Sequence, residues 1–192
     1  MSYNFFSYLN RMKFIERWSL MHSTIKENIM EHSEQVAQIA HILGVINNVI
    51  FEGNANTGDC VKLAVFHDAN EVITGDLPTP VKYFNVEIRT AYKSLEKVAN
   101  DKLLSMLPEK LRGVYKEILE PDKNTIEYKL VSAADKISAY IKCLDELKSG
   151  NKEFLKAKKT IKQKIDSIGL PEVQYFMDNF IEGFELSLDE ME

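Results

Sequence analysis

Cysteine is scarce in this chain of 192 residues, and long apolar runs are absent. Only Cys60 and Cys143 occur, far apart and outside any C-x-x-C spacing. A disulfide framework or a thiolate metal site is therefore not expected, and two cysteines suit a reducing compartment. No uninterrupted apolar stretch approaches the roughly 20 residues that a transmembrane helix needs. We therefore expect no contact with a membrane.

The sequence also lacks a leader pattern and an excess of basic residues. The opening residues, MSYNFFSYLNRMKF, show no basic start followed by an apolar run and a small-residue cleavage site. With 24 basic and 29 acidic residues, the net charge is −5 and the pI is near 5.5. Such a balance argues against nucleic acid as the main partner. These features predict a cytoplasmic protein that binds no nucleic acid.

The length and composition are those of one globular domain. Hydrophobic residues make up 45% of the chain and charged residues 28%, which is ordinary for a folded protein. A chain of this length can bury one sizeable core, and no repeat or linker divides it. We therefore predict a single domain over residues 1–192.

Helical periodicity dominates the sequence, and clear period-two alternation is absent. The asparagine- and glycine-rich segment from Asn47 to Asp59 predicts a surface loop. The two prolines of GDLPTPVKYFN predict a non-helical connector there. The pattern predicts an all-α bundle of about seven to nine helices. Five segments carry it most clearly: EHSEQVAQIAHILGVI, EIRTAYKSLEKVANDKLLSML, YKLVSAADKISAYIKCLDELKSGN, EFLKAKKTIKQKIDSIG and PEVQYFMDNFIEGFELSL.

Three polar side chains on three separate predicted helices lean inward, and His67 adjoins one of them. His32 lies on the apolar stripe of its helix, Asp68 follows Val61, Ala64 and Val65 at helical spacing, and Asp135 lies beside the stripe of a third helix. A buried carboxylate without a partner costs several kcal/mol or becomes protonated, and two converging carboxylates repel each other. A divalent cation would balance the charge of a buried carboxylate and would remove the repulsion between two of them. Two imidazole nitrogens with two carboxylate oxygens suit a metal such as manganese, cobalt, nickel, iron or zinc.

Each polar residue, taken alone, also fits an ordinary structural role. A histidine on an apolar helix face is commonly a hydrogen-bonded core residue, and we assign His22 and His41 to that class. Glu71 could be a helix-surface glutamate, Arg17 a surface arginine and Trp18 a core anchor. The metal interpretation depends on the combination and not on any single position.

The ordered set of His32, then His67 and Asp68, then Asp135 resembles the H…HD…D signature of the HD-domain metal phosphohydrolases. Further motifs resemble those of the bacterial YfbR-like 5′-deoxynucleotidases, and the likeness runs over nearly the whole chain. Ser19 follows Trp18 where this family would have proline, which affects the stiffness of the turn but no ligand. The motifs are RW at 17–18, EHS at 31–33, HDANE at 67–71, TGDLPTPVKYFN at 74–85, AYIKCLDEL at 139–147 and FELSLDE at 184–190.

The resemblance implies an HD-domain helical bundle that forms a homodimer. It also implies hydrolysis of deoxyribonucleoside 5′-monophosphates to deoxyribonucleosides and phosphate. One divalent metal, cobalt or manganese, with nickel, copper, iron or zinc as alternatives, would be held by His32, His67, Asp68 and Asp135. Glu71 and Arg17 would be the catalytic residues. The substrate-binding set would be Arg17, Trp18, His32, Asp68, Asp76, Leu77, Pro78, Thr79 and Asp135.

The residue types suit that chemistry. The planar guanidinium of Arg17 fits two phosphate oxygens. Glu71, four residues after His67, would lie on the same helix face and could handle a proton of the water or of the leaving oxygen. Trp18 could pack on the sugar and leave no room for a 2′-hydroxyl, and Asp76 could accept a hydrogen bond from the 3′-hydroxyl.

Two other classes of function remain open from the sequence. One is an HD phosphohydrolase for another nucleotide class, such as a deoxynucleoside triphosphate, a cyclic dinucleotide or guanosine tetraphosphate. The chain is short for the first of these and lacks the extra histidines of two-metal phosphodiesterases. The other is a non-catalytic module that binds a nucleotide or a metal. The presence of Glu71 and Arg17 beside a full ligand set argues against it.

Overall fold

A computed structural model describes residues 2–191, and ten α-helices account for most of that range. Eight of them have five residues or more, so the predicted all-α class and helix number are confirmed. Within the described residues, strand pairing is limited to one isolated bridge between Glu16 and Asn28. The helices are α1 (Phe5–Leu9), α2 (Ile29–Ile50), α3 (Thr57–Phe66), α4 (Glu71–Thr74), α5 (Thr79–Lys82), α6 (Val86–Ser105), α7 (Glu109–Leu119), α8 (Ile126–Lys148), α9 (Leu155–Asp166) and α10 (Pro171–Asn179).

The chain divides into two compact units. The first comprises residues 2–22, 26–34 and 65–122, and the second comprises residues 23–25, 35–64 and 123–191. None of the helices described in residues 2–191 is both long enough and apolar enough to cross a membrane.

The first unit has a small core between α1, α6 and the residues that follow α3. Phe5, Leu103 and Leu107 are almost fully buried in it. The ring of Phe5 meets that of Tyr115 edge to face, with centroids 4.9 Å apart. This geometry is favourable for aromatic pairs beyond the area that they bury. Ala69 is also buried in this core, so the chain just after α3 is held against it.

The second unit is organised around α8. Leu130, Ala134, Ile137 and Ile141 recur at helical spacing and are all buried, as their periodicity predicts. Thr125 begins the helix by accepting a hydrogen bond from the backbone N–H of Tyr128 at 3.2 Å. The helix ends before Gly150, whose φ of 85° is a conformation that glycine adopts without strain.

Two predicted connectors differ from the structure. The loop predicted from Asn47 to Asp59 is shorter, because α2 continues to Ile50 and α3 already begins at Thr57. Asn47 is buried and its side-chain amide donates to the carboxylate of Glu172, so a polar residue typical of loops is satisfied inside the core. The prediction of a wholly non-helical GDLPTPVKYFN segment is also wrong. Thr79–Lys82 forms one helical turn, which a proline near its start favours.

A buried ion pair anchors the segment before α2 within the second unit. Glu146 on α8 is fully buried and accepts hydrogen bonds from the backbone N–H groups of Thr24 and Ile25 at 2.8 and 3.0 Å. Lys142 donates to it at 2.6 Å and Asn151 at 2.8 Å. Burial raises the pKa of Glu146, but these four donors outweigh burial and lower it to about 2.

We predict that Glu146→Gln lowers the free energy of unfolding by about 3 kcal/mol at pH 7, because it leaves the buried Lys142 ammonium without its counter-ion. A carboxyl group whose pKa is lower in the folded state than in the unfolded state stabilises the fold when the pH is above the unfolded pKa. This contribution is lost as the pH falls toward 2. The difference between wild type and variant in urea unfolding should therefore shrink between about pH 5 and pH 2. Glu182→Gln, at an exposed position, is the control. Equal stability of Glu146→Gln and wild type at pH 7 would contradict the assignment.

Candidate active site

His67 and Asp68 lie on a tight turn and not within a helix. α3 ends at Phe66, and the backbone N–H of Ala69 bonds back to its carbonyl at 3.1 Å. Glu71 donates its backbone N–H to the carbonyl of Asp68 at 3.0 Å and begins α4. The expectation that one helix carries Asp68 inward and Glu71 one turn above His67 is therefore wrong. The turn itself brings the three side chains to one place.

One carboxylate oxygen, Oδ2 of Asp68, is the point where side chains of the first unit converge. Nε2 of His67 lies 3.1 Å from it and Nε2 of His32 lies 3.7 Å from it. Nη1 of Arg17 donates a hydrogen bond to the same oxygen at 3.3 Å. The centroids of the two imidazole rings are 5.3 Å apart. Three separate segments of the sequence, at residues 17, 32 and 67–68, thus share one contact point.

This arrangement fits a divalent transition metal by the chemistry of its donors. A ligand nitrogen of His32 and one of His67 lie within 4.8 Å of each other, and the Asp68 carboxylate adjoins both. Two imidazoles with a carboxylate suit such ions well. The fourth predicted ligand, Asp135, lies on α8 in the second unit, where it is partly buried beside the buried Ala134. His22 and His41 are exposed, so their assignment to the core is wrong.

A short bridge positions the Arg17–Trp18 segment. Arg17 donates its backbone N–H to the carbonyl of Glu27 at 2.9 Å, and Ile29 donates to the carbonyl of Ile15 at 3.0 Å. The side chain of Glu27 also holds the side chains of Arg17 and Trp18. Its Oε2 accepts from Nε of Arg17 and from the indole Nε1 of Trp18, both at 3.0 Å.

Trp18 occupies an unusual backbone conformation. Its φ is 61°, a left-handed value that costs a bulky L-residue energy and persists only where the surroundings enforce it. Here the indole bond to Glu27 and a hydrogen bond from the backbone N–H of Met21 to the Trp18 carbonyl, 2.8 Å long, hold the turn. Backbone strain of this kind is frequent at functional sites.

Glu71 is a buried carboxyl group with an altered pKa. Burial is the largest cause, and together with the negative charge of Asp68 it raises the pKa of Glu71 to about 8. Lys82 on α5 opposes this shift, with its Nζ 3.2 Å from Oε1 of Glu71. Burial disfavours the Lys82 ammonium, but the charge and hydrogen bond of Glu71, together with Tyr92 and Asp68, outweigh burial and raise the pKa of Lys82.

The predicted nucleoside-contacting segment, Asp76 to Thr79, connects α4 with α5. Gly75 ends α4 with a φ of 73°, a conformation that favours glycine. Asp76, Leu77 and Pro78 are partly buried, whereas Thr79 is exposed. The charge of Asp76 contributes to the raised pKa of Glu71, which relates this segment electrostatically to the carboxyl group.

Two residues of this site were not predicted from the sequence, Glu27 and Lys82. Glu27 lies just before α2 in no recognisable motif. The only signal for it is that the adjacent Arg17 and Trp18 both carry N–H donors that need an acceptor. Lys82 lies in the segment predicted to be non-helical, where no spacing rule relates it to Glu71. Both contacts depend on chain reversals that the sequence pattern does not specify.

We predict that Glu27→Ala releases the indole of Trp18, the only tryptophan in the chain. Because the bond to Nε1 is lost, the tryptophan fluorescence should shift to longer wavelength and acrylamide should quench it more strongly. Glu117→Ala, at an exposed position on α7, should leave the spectrum unchanged. An unaltered spectrum and quenching constant in Glu27→Ala would contradict the proposed anchoring.

The sequence matches the model of a known family and several curated relatives. The YfbR-like 5′-deoxynucleotidase family model matches residues 4–184, which include parts of both units. A 5′-deoxynucleotidase of Cronobacter sakazakii is 49% identical over 189 residues, covering 98% of this chain and 95% of the relative. The 5′-deoxynucleotidase YfbR of Escherichia coli is 48% identical with the same coverage.

Solved structures support the fold. An HD-domain phosphohydrolase from Listeria innocua matches with a TM-score of 0.80 at 24% identity, covering 94% of this chain and 88% of its own. The cyanophage S-2L HD phosphohydrolase, described as bound to dA and one catalytic Zn²⁺ ion, matches with a TM-score of 0.68 at 16% identity, covering 92% and 96%. Combined with the sequence matches, these likenesses show that this chain belongs to the YfbR-like 5′-deoxynucleotidase family, a family of phosphoric monoester hydrolases.

Proposed function

We propose that this enzyme hydrolyses deoxyribonucleoside 5′-monophosphates to deoxyribonucleosides and phosphate at the turn that carries His67 and Asp68. The observation that carries the proposal is the convergence of Arg17, His32 and His67 on Oδ2 of Asp68. The names of the relatives favour this substrate class over triphosphates and cyclic dinucleotides. The deoxyadenosine bound to the cyanophage enzyme is a nucleoside of the same type as the proposed product.

A single divalent metal is part of this proposal, with His32, His67, Asp68 and Asp135 as its ligands. The paired imidazoles and the adjoining carboxylate support the first three, and the H…HD…D order supports Asp135. Cobalt or manganese are the proposed ions, with nickel, copper, iron or zinc as alternatives. When bound, such an ion lowers the pKa of a water molecule and neutralises charge on a phosphoryl group.

Arg17 is proposed to orient the phosphate. Its guanidinium is only slightly exposed and is held between the carboxylates of Glu27 and Asp68. This double anchoring fixes the plane of the guanidinium before substrate arrives, so little side-chain entropy is lost on binding. A planar arginine fork matches two phosphate oxygens in a way that a lysine cannot.

Glu71 is proposed to manage the proton of the reaction. Its carboxyl group is buried next to the turn of Asp68. In that position it can accept a proton from the attacking water and deliver one to the leaving 5′-oxygen. The deoxyribonucleoside leaves as a neutral alcohol only if that oxygen is protonated, so a carboxyl group withdrawn from bulk water serves this step.

Trp18 and residues Asp76 to Thr79 are proposed to contact the nucleoside. The indole is held by Glu27 beside the phosphate-orienting arginine, where it would crowd a 2′-hydroxyl. Asp76 is proposed to accept a hydrogen bond from the 3′-hydroxyl, and Leu77, Pro78 and Thr79 to line the sugar. A rigid wall of this kind rejects a ribonucleotide by sterics.

The cellular setting and assembly are also proposals. The free cysteines Cys60 and Cys143 are both buried, in keeping with a reducing cytoplasm. The homodimer rests on the family resemblance and the single domain over residues 1–192 on length and composition, and both stay predictions.

We predict that the wild-type protein releases phosphate from dAMP in the presence of cobalt or manganese and that a chelator abolishes this activity. Asp68→Asn should reduce the rate by more than roughly 100-fold, because a proposed ligand that also pairs with Arg17 loses its charge. Asp101→Asn, at an exposed position on α6, is the matched control. Release from dATP or a cyclic dinucleotide, with none from dAMP, would instead favour the rival substrate classes.

We predict that Trp18→Ala relaxes the preference for deoxyribose. With the indole removed, the ratio of kcat/KM for dAMP to that for AMP should fall by roughly tenfold, mainly through faster AMP hydrolysis. Leu20→Ala, at an exposed position of the same segment, should keep the wild-type ratio. If Trp18→Ala also keeps that ratio, the indole does not select against the 2′-hydroxyl.

A further inference from the structure

Lys82 lies within the TGDLPTPVKYFN motif at 74–85 but has no role assigned above, and it makes a close contact with Glu71. Its Nζ lies 3.2 Å from Oε1 of Glu71. The same ammonium lies 4.8 Å from the centroid of the Tyr92 ring on α6, a cation–π distance. The hydroxyl of Tyr92 is in turn 3.4 Å from Oγ1 of Thr74 on α4. Lys82 is therefore held from two sides.

The two oxygens of Glu71 have different surroundings. Oε1 accepts the hydrogen bond from Lys82, whereas Oε2 is buried and has no hydrogen-bond partner among the described residues. The side chain of Glu71 is only 5% exposed, and that of Lys82 is 23% exposed. A buried carboxylate oxygen without a protein partner is costly, so Oε2 is the oxygen of Glu71 that is available to a reacting group.

The position of Lys82 also relates Glu71 to the nucleoside-contacting residues. Lys82 is the last residue of α5, which begins at Thr79, and its backbone N–H donates to the carbonyl of Pro78 at 3.0 Å. The contact with Glu71 thus connects that segment with the start of α4. Displacement of Lys82 would therefore free the carboxyl group of Glu71 and, at the same time, loosen the connection between the two segments.

We propose that Lys82 is a positioning residue for the hydrolysis: it holds Oε1 of Glu71 so that Oε2 is presented to the reacting water or the leaving oxygen. This inference rests on the proposed function, in which Glu71 manages the proton. The Tyr92 ring keeps the ammonium in place, and Lys82 itself does not touch the substrate. A small misplacement of a proton-transferring group is enough to reduce the rate by about 100-fold.

The test compares steady-state dAMP hydrolysis by wild type, Lys82→Met, Lys82→Arg and Lys93→Met in the presence of manganese. Lys82→Met keeps the length of the side chain but removes the donor, so kcat should fall by roughly 10- to 100-fold with less than about threefold change in KM. Lys82→Arg restores a donor and should recover most of kcat. Lys93→Met, next to Tyr92 and exposed, should behave as wild type.

A double-mutant cycle with Glu71→Gln separates positioning from general stabilisation. If Lys82 acts through Glu71, adding Lys82→Met to Glu71→Gln should lower kcat by less than about twofold, because the two losses are not additive. Tyr92→Leu, which removes the ring beneath the ammonium, should lower kcat in part. It serves as an independent variant if Lys82→Met does not fold by circular dichroism.

The outcomes distinguish this inference from the proposed function. Wild type that releases no phosphate from dAMP overturns the proposed function and the inference with it. An active wild type with an unchanged kcat in Lys82→Met or, where that variant does not fold, in Tyr92→Leu overturns the inference alone. Fully additive losses in the cycle do the same, since they show that Lys82 acts independently of Glu71.

Discussion

The site depends on a single shared point of contact, Oδ2 of Asp68. Three cationic or imidazole groups, from Arg17, His32 and His67, lie within 3.7 Å of this one oxygen. In a partly buried setting such interactions are much stronger than in water, and each group keeps the others in place. Replacing the carboxylate would therefore disturb Arg17 and the paired histidines together.

Short segments of irregular backbone carry the side chains around this oxygen. α3 stops at Phe66, the chain turns through His67 and Asp68, and α4 begins at Glu71. A second irregular segment carries Arg17 and the strained Trp18, held by a single glutamate, Glu27. Such loops place chemical groups that a regular helix would separate by whole turns, and the packed helices keep them rigid.

Asp68 and Glu71 are close in sequence but differ in their surroundings. Oδ2 of Asp68 lies close to the Arg17 guanidinium and to both imidazoles. Glu71 is buried, and burial raises its pKa to about 8 despite the neighbouring Lys82. A buried carboxyl group with a raised pKa, next to a carboxylate that contacts an arginine, is typical of sites that combine charge stabilisation with proton transfer. The contact between Lys82 and Glu71 then determines which oxygen of Glu71 is available.

The sequence by itself determined the all-α class and the long helices, because apolar periodicity is local. It also predicted the candidate ligands, because the ordered His32, His67, Asp68 and Asp135 are visible without coordinates. Tertiary structure decided the rest. Whether His67 and Asp68 continue a helix or form a turn depends on the packing of Ala69 into a core with Phe5, which periodicity does not encode. The contacts of Glu27 with Trp18 and of Lys82 with Glu71 join residues nine and eleven positions apart across chain reversals. Only the folded backbone brings such residues together.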